Sequence, residues 1–131
     1  MDAIGYYTNA PHSQRLPFPF SSFYPDRGNF LAFIGDFSSR KYIKAVTRGF
    51  KKGSSFPIEA GVVPKMVEGA SWSDHSSFWK FNYPGIMVTD TGGFRSPWHT
   101  TRGDTMEKID FEALARITLG MYSAVIELTK M

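Results

Sequence analysis

"NFLAFIGDFSSRKYIKAVTRGFKKG", residues 29–53, places a short apolar run directly ahead of a basic, periodic one. Residues 29–36 are apolar and bounded by turn residues, the pattern of a central strand buried on both faces. Ser38 or Ser39 then offers an N-cap for a helix running to about Lys52, with Gly53 as its stop. Tyr42, Ile43, Val46 and Phe50 recur at three- and four-residue spacing and predict the helix's inner stripe. Arg40, Lys41, Lys44, Arg48, Lys51 and Lys52 occupy its remaining surface.

The same alternation continues outward. "DRGN" predicts a turn in which Gly28 takes positive φ, and before it residues 8–28 carry four prolines and no periodicity. Irregular segments of that length are commonly functional or covering. "DAIGYY", residues 2–7, reads as a short buried strand. Downstream, "FPIEAGVVP" reads as a weaker strand, and "SDHSSFWKFN" as a short helix with Ser73 or Asp74 near its start. "GIMVTDT" is a further buried strand, residues 92–108 a loop, and Asp110 the cap of a long last helix. Phe111, Leu114, Ile117, Met121, Val125 and Leu128 predict that helix's core face. Strands alternating with helices predict an α/β sheet with helices on its faces.

The chain has 131 residues, one domain's worth or part of a larger one, and a net charge of +3. Six of its 15 basic residues lie on the 40–52 helix. No groove-reading motif or aromatic platform accompanies them in sequence, so a solvated face outweighs a nucleic-acid or lipid surface. The absence of cysteine excludes disulfides and thiolate metal sites, leaving His, Asp and Glu as ligands for a metal such as zinc. No apolar run is long enough to span a membrane, and the opening lacks the regions of a signal peptide. A strand beginning at the first residues carries the expectation that Met1 cuts into a larger fold.

In α/β sheets, functional groups gather in loops beyond the carboxyl ends of strands. Two polar clusters lie in such places, the Ser73-Asp74-His75 run and His99 with Asp104, while Asp2 begins the first strand and is the only acid near it. His99 has two readings, a ligand or a ring that bonds a loop carbonyl and stacks on Trp98. Asp74 has an ordinary role as a helix cap, and His75 needs none beyond the first turn. His12 reads as a surface residue, and Trp72, Trp79 and Trp98 as core or pocket wall.

The motifs "MDAIGYY", "FYPDRGNFLAFIGD", "SDHSSFW" and "YPGIMVTDTGGFRSPWHTTRGDTMEKIDFE", followed by the closing helix, occur in one order. In that order the chain resembles the C-terminal half of the co-catalytic zinc aminopeptidases of the bacterial leucyl aminopeptidase type. Glutaminyl cyclases and glutamate carboxypeptidases are related to that family. The resemblance implies a three-layer sandwich with a mixed, mainly parallel sheet, residues 1–131 forming one partial domain truncated at its N-terminus. It implies two zinc ions, with Asp2 a ligand of one and His99 of the other. Such an ion pair polarises a peptide carbonyl and lowers the pKa of bound water. Asp74 and His75 match groups beside the site or on its substrate side. Asp104 matches the acid that closes the histidine loop, and Trp98 becomes a pocket wall. Arg95 receives no role.

The chain departs from the family pattern in its donor set. It contains no His-x-Asp motif and no two adjacent acids, so the general-base glutamate and most ligands are missing. The expectation is therefore a peptide-hydrolysing zinc exopeptidase, catalytically incomplete in this chain alone. A non-catalytic interaction domain and a glutaminyl cyclase-like acyltransferase are the alternatives. The expected partners are a peptide substrate and either the N-terminal half or a second copy meeting an exposed sheet edge. A nucleic acid is not among them.

Overall fold

The computed structural model describes residues 1–131. The apolar run that opens the sequence reading forms β1 (Leu31–Gly35), and the periodic stretch after it forms α1 (Arg40–Gly53). They are followed by β2 (Ile58–Val62), α2 (His75–Lys80), β3 (Ile86–Thr89) and α3 (Phe111–Leu128). β1 is the central strand of a three-stranded sheet ordered β2-β1-β3. It pairs in parallel with β2, Leu31 opposite Ile58, and antiparallel with β3, Ala32 opposite Thr89. The fold is α/β and its sheet is mixed, with one parallel and one antiparallel pairing rather than a parallel majority.

Alternation along the strands divides the sheet into two faces. Leu31, Phe33 and Val88 point into a core shared with Val46 and Phe50 of α1 and Ile117 of α3. Phe33 meets Phe50 edge-on, with ring centroids 5.5 Å apart. Burying side chains of this size contributes about 1.5–3 kcal/mol each. Ala32, Ile34 and Met87 point to the opposite face, where loops rather than long helices enclose a cavity.

The inner face of α3 differs from the one its periodicity predicts. Of the six expected core residues Ile117 is buried and Met121 and Leu128 pack partly buried against the core, while Phe111 and Val125 are more than half exposed. The buried stripe is Ala113, Ile117, Gly120, Ala124 and Glu127. Small residues let α1 and α3 approach closely: a Cβ on Gly120 would fall 2.4 Å from the Phe50 ring, and one on Gly49 2.8 Å from the Ala124 Cα. Glu127 is tolerated there because Arg48 and Lys52 each reach it at 2.8 Å. Hydrogen bonds from Lys52 and Arg48 hold its carboxyl below the usual range. Two of the basic residues thus close the helix pair.

The start of α1 is also built otherwise than expected. Neither serine caps it; Asp36 instead accepts from the Ser38 hydroxyl at 2.7 Å, the Ser39 hydroxyl at 2.8 Å and the Ser39 N–H at 3.1 Å. The Ser39 hydroxyl also accepts from the Gly85 N–H at 3.0 Å, tying this turn to the entrance of β3. Burial raises the Asp36 pKa, but the bonds from Ser38 and Ser39 and the Lys65 charge outweigh it, and the net shift is downward from 3.8. A lowered folded-state pKa adds stability that is complete above the unfolded value and is lost as pH falls through the folded one. Acid titration of stability should therefore show a component below about pH 3.8 that disappears in Asp36→Asn. An unchanged acid limb in that variant would refute this assignment.

Residues 2–7 are not a strand. Asp2 donates its N–H to Val88 and Asp90 donates its own to Ala3, but no ladder develops. Ala3 has φ of 49°, and the N–H groups of Gly5 and Tyr6 turn to the Asp90 carboxylate. Gly28 does not take positive φ either. Its lack of a side chain makes room for Arg95, whose Cδ would lie 2.6 Å from a Cβ there. α2 begins at His75 with Asp74 in the cap position, but the Asp74 side chain makes no capping bond.

Candidate functional site

Where β3 ends, Asp90 is buried and organises two chain segments at once. One carboxylate oxygen accepts from Gly5 N–H at 3.0 Å and Tyr6 N–H at 2.9 Å; the other accepts from Gly92 N–H at 2.8 Å. The first pair fixes the arm that carries Asp2, and the third fixes the turn that leads to His99. That turn is tight: Thr91 has φ of 76° and Gly92 of 50°. A Cβ on Gly92 would fall 3.1 Å from the His99 ring, so the glycine leaves the space the imidazole fills.

Asp2 and His99 thereby line one cavity of about 180 Å³ on the sheet face opposite α1 and α3. Its walls are mostly apolar and include Phe20, Phe30, Trp72 and Phe94. Trp72 stacks parallel on Phe94 at 5.4 Å between centroids, so the loop before α2 meets the loop after β3 there. The Asp2 carboxylate and His99 imidazole are both donors that suit zinc. In kind they fit such an ion, but in number they fall short, because no group of three His, Asp or Glu side chains converges anywhere in the chain.

The other residues expected near the site lie outside the cavity lining. His75 is buried, its Nε2 2.6 Å from the Ala70 carbonyl and its ring edge-on to Trp79 at 4.5 Å. Its Nδ1 is buried without a partner. Ala70 itself lines the cavity, so His75 holds a piece of the wall from behind. Asp74 is exposed. Trp98 packs over Gly103 and under the Lys108 ammonium, which sits 4.3 Å from its ring. Asp104 is exposed, and the histidine loop is held instead by Thr101, whose hydroxyl donates to the Trp98 carbonyl at 2.7 Å. His12 is exposed and pairs with Asp26 at 3.1 Å.

Sequence reasoning missed Asp90 and undervalued Arg95. Arg95 is 2% exposed, donates from Nε to Gln14 at 2.8 Å, and lies over the rings of Tyr7 and Phe30. Burial pulls its pKa down to about 10 although Asp90 and Tyr7 oppose the shift, so it stays charged at neutral pH. Burial and the Asp90 charge push the Tyr7 hydroxyl up. The signal for Asp90 was present in "TDTGG", an aspartate followed at once by the glycines of a turn.

Comparison with known proteins adds to this geometry. The profile of Peptidase family M28 matches residues 30–125. The uncharacterized protein YfbL of Escherichia coli (strain K12) is 31% identical over 122 residues, which cover 92% of this chain and 38% of that protein. The chain thus spans under two fifths of the length of this curated relative. No solved structure matches it.

Proposed function

The chain belongs to peptidase family M28, and on that premise we propose that it forms part of the centre of a zinc-dependent exopeptidase of the aminopeptidase type. One observation carries the reading: Asp2 and His99, far apart in sequence, line the same apolar cavity. Each would hold one of two zinc ions. Zinc bound there supplies carbonyl polarisation and a more acidic bound water.

The chain's own residues do the rest of the work that can be assigned. Phe20, Phe30, Trp72 and Phe94 take up the side chain of a terminal substrate residue and shield it from water. Asp90 sets the two ligand arms in place. His75 holds the Ala70 wall and Asp74 stands beside it on the substrate side, while Thr101, bonded to the Trp98 carbonyl, supports the His99 loop. The general base and the remaining ligands come, in this reading, from polypeptide outside these 131 residues, completing a three-layer sandwich.

The test uses two proteins, this chain and one extended to the length of the E. coli relative. The extended protein should hydrolyse leucine p-nitroanilide, stop on chelation, recover with zinc, and lose at least a hundredfold in kcat/KM on His99→Ala. The 131-residue chain should bind zinc weakly and turn nothing over. Chelator-insensitive hydrolysis by the extended protein would sink the metallopeptidase reading, and cyclisation of glutaminyl peptides would reassign it. The low donor count favours a second reading, a non-catalytic interaction domain on the same fold. Zinc uptake indifferent to both Asp2→Ala and His99→Ala would establish that one instead.

A further inference from the structure

The end of the sheet away from Asp2 and His99 carries a second surface, built by two segments that are distant in sequence. The turn into α1 and the turn out of α2 are joined there. Gly85 N–H donates to the Ser39 hydroxyl at 3.0 Å, and the Trp79 indole donates to the Gly85 carbonyl at 2.9 Å. Around this hub four aromatic side chains face solvent: Phe37 is 74% exposed, Phe81 74%, Tyr83 64% and Phe78 56%. Aromatic side chains are costly to hydrate, and a cluster from two converging segments differs from a single stray ring.

The one acid at this turn, Asp36, is buried and held by Ser38, Ser39 and Lys65, and the exposed charges of the two segments are cationic. Arg40, Lys41, Lys44 and Lys80 are exposed, and none has a carboxylate within 4.0 Å. Residues 37–58 and 75–89 contain no aspartate or glutamate. Arg48 and Lys52 are already engaged by Glu127 and are not part of this set. Protein interfaces are depleted in lysine, whereas aromatic groups flanked by unpaired cations suit the headgroup region of an anionic bilayer. Gly85 precedes β3 and the segment carrying Asp2 is fastened at Val88 and Asp90, so the two groups of residues lie at opposite ends of that strand, about 13 Å apart at a strand's rise. A surface docked at this end leaves Asp2 and His99 facing solution.

We propose that Phe37, Phe78, Phe81 and Tyr83, with the cations of the α1 start and Lys80, form a peripheral docking surface for an anionic phospholipid bilayer. The aromatic rings enter the interfacial layer while the ammonium and guanidinium groups meet lipid phosphates. The inference is independent of the peptidase reading and stands or falls by lipid binding alone.

Co-sedimentation of the 131-residue chain with vesicles tests it, comparing pure phosphatidylcholine with a 7:3 mixture of phosphatidylcholine and phosphatidylglycerol at 0.1 M salt. Partition onto the anionic vesicles should be at least tenfold stronger. Lys41→Gln with Lys44→Gln should lower it about 25-fold, roughly fivefold per cation removed. Phe81→Ser with Tyr83→Ser should lower it about tenfold, with the thermal midpoint unchanged because both rings are exposed; Phe37→Ser provides an independent second variant. Equal partition onto both vesicle types, or none, overturns the proposal. Loss with the lysine pair but not with either aromatic variant reduces it to plain polyanion adsorption and also overturns it. A dimer in sedimentation velocity that Phe81→Ser dissolves makes the patch a contact between copies instead.

Discussion

Asp90→Ala is expected to destabilise the protein by about 3–5 kcal/mol, read as a shift of the urea midpoint with unchanged slope. Three backbone N–H groups, those of Gly5, Tyr6 and Gly92, donate to this one buried carboxylate at 2.8–3.0 Å. Hydrogen bonds to a charged acceptor contribute about 1.5–3 kcal/mol each, less than additively where one carboxylate serves three donors, and the three N–H groups lose that acceptor. Arg95, 2% exposed, would also lose the carboxylate whose charge supports its own. Asp90→Asn keeps the shape and one good acceptor, so it should cost less, about 1–2 kcal/mol. The variant should also loosen residues 2–6 and 91–99 together, visible as faster amide exchange in both. Loss of protection in only one segment would show that Asp90 does not couple the two arms of the site.

Gly120→Val is expected to be of similar size, about 3 kcal/mol or more, for the opposite physical reason. Where Asp90→Ala removes partners, this change adds atoms where none fit. A Cβ at position 120 would lie 2.4–2.6 Å from three atoms of the Phe50 ring, and Phe50 itself has no exposed surface with which to yield. Overpacking of a dense core costs about 1–3 kcal/mol, and more when a buried ring has nowhere to move. Gly120→Ala separates this clash from helix propensity, which by itself favours alanine over glycine by about 1 kcal/mol. A net loss in Gly120→Ala is the expected result, and a net gain would mean that the helices are farther apart than the structure places them. Leu119→Ala, one residue away on the exposed side, should move stability by less than about 0.5 kcal/mol.

These two positions also show where sequence reading succeeds and stops. Strand β1, helix α1 and the order of elements after them follow from runs and periodicities that local sequence carries. The face of α3 followed only in part, through Ile117, Met121 and Leu128, because apolar periodicity marks which residues avoid water, not which ones a neighbouring helix can approach. Gly120, Ala124 and Gly49 form the contact since they are small, and smallness in one helix has meaning only when its partner is known. The strand expected at residues 2–7 failed for a related reason. Its composition suits a strand, but a carboxylate 84 residues away in sequence takes the Tyr6 N–H before a ladder can form.

The candidate site divides along the same line. His99 and Asp2 were recognisable in sequence as residues of the right chemistry in ordered motifs. Their placement on one cavity was not, since it depends on Asp90 fastening two segments that sequence separates. Trp98 and Asp104 looked like immediate neighbours of His99 because they are near it in the chain, yet Gly92 and Thr101 make the contacts that shape its loop. Sequence by itself determined the α/β class, the helix and strand order, and the donor types available to a metal. The tertiary structure alone decided which face of α3 is buried, which residues share a cavity, and which aromatics and cations meet at the far end of the sheet. Local order follows from backbone preference and periodicity, which act over a few residues; those other outcomes follow from close approach and charge, which act wherever the folded chain brings groups together.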